Sequence, residues 1–143
     1  MQEREIFKPK FDKMYWWSLA LCAVYMIAMM FVALWHVQVA IVIGAVDLLL
    51  IWVLVSPCFG YVELREETLF VKFGLILKRE IPYARIRKIQ KVRHWYSESI
   101  IALKNAIEHV DIRYNFCDVV SVSVVENDAF IEALKNRAAD TIL

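Results

Sequence analysis

The chain has 143 residues, 60% of them hydrophobic, with a formal net charge of +1 at pH 7. That near-neutral balance supplies no bulk electrostatic case for nucleic acid, which is not expected as a partner. Three glycines nearly exclude a phosphate-cradling loop, and Cys22, Cys58 and Cys117 have neither CxxC nor Cys/His spacing, so no disulfide framework, metal or cofactor is expected.

Residues 1–14 form a polar tail. Two apolar runs follow, Tyr15 to Trp35 and Val37 to Phe59, interrupted at the join by His36 and Gln38. About twenty apolar residues suffice to cross the hydrocarbon of a bilayer as a helix, so residues 15–59 read as a two-helix transmembrane hairpin. A cleaved signal peptide fits poorly, because the first run is long, lacks a small-x-small end and leads straight into the second. Arg4, Lys8, Lys10 and Lys13 precede the hairpin, Arg65, Lys72, Lys78 and Arg79 follow it, and the join carries no Lys or Arg. Cationic residues favour the cytoplasmic side, which places both termini there and His36 to Gln38 outside as a tight turn. Tyr15, Trp16, Trp17 and Trp35 stand where an aromatic belt belongs.

Asp47 is the one charged residue within these runs. A carboxyl at that depth costs a few kcal/mol and should face protein or be protonated. Ala40, Gly44, Asp47 and Ile51 share a face whose small residues allow close helix approach. Folding the hairpin at Val37 brings Tyr25 to the depth of Asp47. Asp47 is therefore expected to face the first helix or a second copy of the hairpin, with the Tyr25 hydroxyl as partner. One interhelical hydrogen bond is favoured over a proton or ion site, since no second ionisable residue is there to relay a proton.

Residues 60–143 are expected to form one small cytoplasmic domain. Short β-like runs occur at Tyr61–Leu64, Thr68–Phe73, Leu75–Ile81, Ile86–Val92, Ser99–Lys104, Glu108–Tyr114 and Val119–Val125. Leu69, Val71 and Phe73 face one way, as do Val120, Val122 and Val124, while Val110, Ile112 and Tyr114 alternate with a wet face of His109, Asp111 and Arg113. Pro82 should block ladder pairing and so bend the chain, and Asn115 to Asp118 should turn it. The period then changes: Phe130, Ile131, Leu134 and Ala138 mark an amphipathic helix, with Asn127 or Asp128 as N-cap. The expectation is a partly open barrel of about seven antiparallel strands, plugged by a C-terminal helix.

The run from Lys78 to Ile86, with Ile81, Pro82, Tyr83 and Ile86 at its heart, resembles the K-x-IPY-x-x-I segment of bacterial pleckstrin-homology-like domains, in particular the YyaB-like branch. Ala102-Leu103 and the later strand with Ile112 and Tyr114 resemble that branch's strand pair, and Phe130 and Leu134 match its helical ending. Lys104 and Val124-Val125 depart from the pattern. The resemblance spans most of Tyr61 to Arg137 and implies a fold, a bacterial plasma membrane and, often, two spans in front. It implies no catalysis.

Lys78, Arg79, Arg85, Arg87, Lys88, Lys91 and Arg93 form a basic cluster offset by Glu80, whereas acids outnumber bases after Glu98. Such an edge either lies against anionic headgroups, at about 1 kcal/mol per residue, or is an ordinary solvated strand face. His94, Trp95 and Tyr96 either cover an open barrel end or form a binding or interfacial surface. His94, Ser97 and Glu98 are too close in sequence to converge as a catalytic triad. The expected function is a membrane-anchored, non-catalytic binding or scaffolding module that engages a protein, peptide or anionic lipid, with homo-oligomers allowed. The alternative is a small accessory or immunity-type protein acting through its spans and Asp47.

Overall fold

The computed structural model describes residues 4–96, 99, 102–103 and 105–142. Strand β1 (Glu5–Phe7) precedes helices α1 (Lys13–Ala33) and α2 (Val37–Val55), and a 3₁₀ turn at Ser56–Phe59 leads into β2 (Tyr61–Leu64). Then come β3 (Thr68–Lys72), β4 (Lys78–Pro82), a 3₁₀ turn at Tyr83–Arg85, β5 (Ile86–Arg93), β6 (Ala102–Leu103), β7 (Glu108–Tyr114), β8 (Asp118–Val122) and α3 (Asn127–Ile142).

Both long helices are apolar and long enough to cross a membrane, and almost no side chain on them is buried within the protein. Their half-buried positions make one seam: Tyr15, Leu19, Cys22, Ala23, Met26, Met29 and Ala33 on α1, and Ala40, Ile43, Asp47, Leu50 and Leu54 on α2. Steps of three and four residues are those of two helices packed side by side at a shallow angle. The Tyr15 hydroxyl closes the open end of this hairpin by donating to the Leu54 carbonyl. The turn falls at Leu34–His36, two residues ahead of the expected His36 to Gln38.

Among the described residues the strands form two sheets of four, ordered β1-β2-β3-β4 and β5-β7-β8-β6. Their inner faces carry Val62, Leu64, Leu69, Val71, Ile81, Val110, Ile112, Val120 and Val122, and α3 closes the core with Phe130 and Leu134. The alternation read from β3 holds; in β8, Val120 and Val122 face the core as expected, but Ser121 between them is fully buried too. Several expectations are corrected. The N-terminal stretch is not a separate tail: β1 pairs with β2, Pro9 bridges to Val124, and the Phe7 ring meets Phe130 edge-on at 5.2 Å. Apolar Ile6 and Phe7 are too few to register as a strand alone, and they become one only by completing a sheet edge.

The second correction is the pairing of β6, which runs parallel to β8 and not antiparallel. Only Ala102 and Leu103 of the expected Ser99–Lys104 strand are assigned to it, and residues 100, 101 and 104 lie outside the described residues. The third is β7, whose expected wet face is largely dry. His109 and Asp111 are buried, and Arg113 alone of the three is exposed. The burial is tolerable because the polar groups satisfy one another. Ser121 Oγ donates to Asp111 Oδ1 at 2.5 Å, His109 Nε2 lies 3.3 Å from the same oxygen, and His109 Nδ1 meets the Ile107 carbonyl at 3.0 Å.

Pro82 does not block pairing as expected: it is the last paired residue of β4, opposite Thr68, and the chain bends immediately after it. Leu75 to Leu77, expected to begin that strand, form an exposed turn instead. Asn115 takes a left-handed φ of 52° at the turn before β8, where its side-chain amide donates to Asp118 at 2.8 Å. Neither expected N-cap serves α3 as such. Asn127 Oδ1 accepts from the Val124 N–H at 3.0 Å, and Asp128 reaches across to Lys91.

Candidate functional site

The motif residues come first because they position everything else. Ile81 is buried, and Tyr83 is fully buried with its hydroxyl donating to the Arg65 carbonyl at 2.7 Å. Burial pushes the Tyr83 phenol upward from its ordinary range. Tyr83 thus clamps the β2–β3 loop to the turn between β4 and β5. From α3, Arg137 reaches the same loop, donating to the Arg65 carbonyl at 3.0 Å and lying 3.6 Å from Glu5 of β1. Ile86 packs against the core, while Ile112, Tyr114, Phe130 and Leu134 belong to it. Apart from Pro82, which ends β4 at the bend, these motif positions are accounted for by packing.

The basic residues divide between two elements. Lys78 and Arg79 lie on β4, Arg85 in the following 3₁₀ turn, and Arg87, Lys88, Lys91 and Arg93 on β5. Arg87 is the extra residue of a β-bulge between Ile86 and Lys88, which re-aims the side chains around it. Two guanidiniums converge on the turn after β7: Arg79 lies over the Tyr114 ring at 5.6 Å and Arg87 over the Phe116 ring at 5.8 Å. Lys91 is committed elsewhere. Its ammonium lies 2.8 Å from Asp128 and 3.3 Å from Glu108, and the hydrogen bond to Asp128 leads the causes that raise its pKa. Glu80 is held by Thr68 at 2.9 Å and Arg65 at 2.8 Å, hydrogen bonds that lower its pKa in that order.

β4 and β5 are the last strands of their respective sheets, so each offers one unpaired edge among the described residues. β5 is the longer, with Arg87, Lys88, Gln90, Lys91 and Arg93 exposed along it. An exposed edge of eight residues is a template for another strand unless charge or cover blunts it.

In the hairpin, Asp47 lies on the seam with α1, but its Oδ1 is buried with no hydrogen-bond partner. Tyr25 does not supply one: it shares that depth but sits off the seam, 46% exposed. Gly44 is also off the seam, and a Cβ there would meet nothing within 4 Å. The small residue thus leaves a notch on the outer surface and does not bring α1 closer.

His94 stacks on Tyr96 at 5.0 Å, and Trp95 is almost wholly exposed beside Met14, Tyr15 and Ser18 at the start of α1. These aromatics therefore do not seal the barrel. Ser97 and Glu98 lie outside the described residues. No group of His, Cys, Asp and Glu suited to a metal ion occurs among the described residues. The Ser121–Asp111–His109 array is nearly inaccessible and serves the sheet. The strap from Glu5 to Asp12, Arg137 and this buried array were not singled out from sequence, since each depends on partners distant along the chain.

Two β-sheets around one core, capped by a C-terminal helix, define a PH-like module, here preceded by an apolar helical hairpin. The model of the Bacterial PH domain family matches residues 60–138, more than half of the chain, and the chain belongs to that family. None of the curated proteins and none of the solved structures matches it. PH-type domains are generally non-catalytic binding modules.

Proposed function

We propose that the chain is an integral protein of a bacterial plasma membrane, of the YyaB-like branch, with both apolar helices spanning the bilayer and both termini cytoplasmic. Its PH-type domain is a non-catalytic binding or scaffolding module. It engages an extended acidic segment of a membrane-protein partner along β5.

The observation that carries this reading is the unpaired β5 edge with its exposed row of basic side chains. Strand addition obtains affinity from main-chain hydrogen bonds and specificity from side chains along the edge. Anionic lipid is the competing ligand for the same residues. Its weakness is geometric. β5 points its Arg93 end toward the hairpin, because Arg93 opposes Glu108, which pairs with Lys10 just before α1. Its Ile86 end, with Arg87 and Lys88, is directed away. A row aimed off the membrane suits a protein segment better than a flat headgroup layer. Membrane placement is supported by the length and apolarity of the helices and by the pairing of β1 with β2, which puts the outer ends of both helices on one side.

Photo-crosslinkers at Gln90 in native membranes test this. Partner adducts lost on Arg87→Glu with Lys88→Glu are expected. Adducts to lipid alone, dependent on anionic headgroups, would replace the protein-segment reading.

A second reading rests on Asp47. Its unpartnered carboxyl is suited to a hydrogen-bond donor from another membrane helix, and the protein would then act through its spans. Asp47→Leu abolishing partner adducts while the β5 variants leave them intact would favour it.

A further inference from the structure

The turn between β3 and β4 reads Phe73-Gly74-Leu75-Ile76-Leu77, without a polar side chain. Leu75, Ile76 and Leu77 are all exposed, Ile76 at 71%. Three adjacent aliphatic side chains at the tip of a β-turn are poorly suited to water. Yet the turn is not loose. The Phe73 N–H donates to the Leu77 carbonyl at 2.8 Å, and the Leu75 N–H donates to Ser56 Oγ at 3.3 Å, at the end of α2. A Cβ on Gly74 would stand 2.0 Å from that same Oγ. The glycine lets the turn press against the helix end, where Ile76 and Leu77 share a cleft with Trp52 and Val53. Those residues belong to the apolar helix itself, one turn inside its end.

A second apolar prong stands beside the other helix. Trp95, 77% exposed, lines a cleft with Met14, Tyr15 and Ser18 at the start of α1. Both prongs lie at the open end of the hairpin, where α1 begins and α2 finishes. Each has a basic residue next to its apolar stretch, Lys78 after Leu77 and Arg93 two positions before Trp95. Aliphatic tips inward, indole at the boundary and cations behind them match the layering of a bilayer interface.

We propose that the Leu75–Leu77 turn and Trp95 are buried in the interfacial layer of the bilayer that the hairpin spans, on either side of it. The bound chemistry is acyl chain at the turn and the headgroup boundary at Trp95. The domain is thereby seated on the membrane in one orientation, so the β5 edge has a set direction instead of swinging on a tether. The inference rests on the membrane-spanning reading of α1 and α2.

The test uses the full chain in phospholipid vesicles, with Cys22, Cys58 and Cys117 replaced by alanine and an environment-sensitive fluorophore on one introduced cysteine. Ile76→Cys is the probe, Leu48→Cys in mid-helix the membrane control, and Phe116→Cys at the far turn the aqueous control. All three native side chains are exposed, so labelling leaves the core untouched. Expected for Ile76→Cys are blue-shifted emission, severalfold stronger quenching by a spin label high on the acyl chain than by one near its end, and shielding from aqueous iodide. Leu48→Cys should be quenched most by the deep label, and Phe116→Cys by iodide alone. Quenching at Leu48→Cys with iodide access at Ile76→Cys overturns the seated domain and leaves the spans standing. Shielding at Ile76→Cys from both iodide and lipid labels also overturns it, since a protein surface then covers the turn. Absence of lipid quenching at Leu48→Cys overturns the membrane reading and this inference together.

Discussion

Asp12, one residue ahead of α1, accepts a hydrogen bond from the Ile107 N–H at 3.0 Å, across 95 residues of chain. The Asp12 N–H in turn donates to the Asn105 carbonyl at 3.0 Å, and the Lys10 N–H donates to Ser123 at 2.9 Å. The stretch before the hairpin is thus stitched onto the domain that follows it. Hairpin and domain share a foundation.

Asp12→Ala should therefore destabilise the PH-like domain even though residue 12 lies outside the matched segment. Loss of one charge-assisted hydrogen bond, leaving a partly buried N–H unpaired, costs about 1–2 kcal/mol. Chemical denaturation of the detergent-solubilised full chain measures it, and faster amide exchange at Ile107 localises it. An unchanged midpoint would show that the strap is ornamental.

Gly60 joins the turn after α2 to β2 in a confined space. A Cβ there would lie 2.7 Å from the Lys72 carbonyl oxygen and 2.4 Å from Leu103 Cδ1. The leucine tip can move, but the backbone carbonyl cannot without disturbing the β2–β3 ladder. Gly60→Ala should cost about 1–3 kcal/mol by overpacking, read as a lower thermal midpoint.

The Ser121–Asp111–His109 array predicts a steeper loss. His109 Nδ1 is directed at the Ile107 carbonyl, and Nε2 faces the Asp111 carboxyl group at 3.3 Å. Asp111→Ala removes the acceptor shared by two buried polar side chains and should cost about 3 kcal/mol. Ser121→Ala removes the hydrogen bond to Asp111 but leaves the carboxyl group facing His109, and should cost less, about 1 kcal/mol. Equal effects of the two, measured by equilibrium unfolding, would contradict a network centred on Asp111.

Two exposed groups set a pH dependence. Hydrogen bonds from Thr68 and Arg65 lower the Glu80 pKa below 4.5, so its contribution is present above that value and is lost as pH falls through the depressed one. Lys91 runs oppositely: Asp128 raises its pKa above 10.5, so its contribution holds below that value and is lost as pH rises through the raised one. Glu80→Gln should flatten the acid limb of a stability–pH profile, and Lys91→Met the alkaline limb.

Asp47→Leu should leave the hairpin formed and raise its stability by about 2 kcal/mol, because the native carboxyl oxygen is buried without a partner. Unfolding in mixed micelles reads the change. A loss of stability would show that the carboxyl finds a donor in the membrane.

Much of the architecture could be read along the chain. Apolar length marked α1 and α2, period-two alternation marked β3 and β8, and the change of period marked α3. These are local signals, since a helix or strand with one buried face writes its own spacing into neighbouring residues. The segment from Lys78 to Ile86 was legible for another reason: it resembles a family motif, in which Pro82 and buried Tyr83 stand at the bend after β4. What alternation could not reveal was burial on both faces. His109 and Asp111 look solvated in sequence and are dry in the fold, because Ser121 arrives from β8 to satisfy the carboxylate.

The sequence by itself determined the apolar hairpin, the β-rich domain behind it and the helix that closes the core, because each follows from periodic burial within a short window. The tertiary structure alone decided that Glu5–Phe7 is a strand, that β6 runs parallel to β8, that Lys91 is spent on Asp128 and Glu108, and that Leu75 to Leu77 meet the end of α2. Each of those depends on a partner far along the chain, and long-range pairing leaves no period in the residues that wait for it.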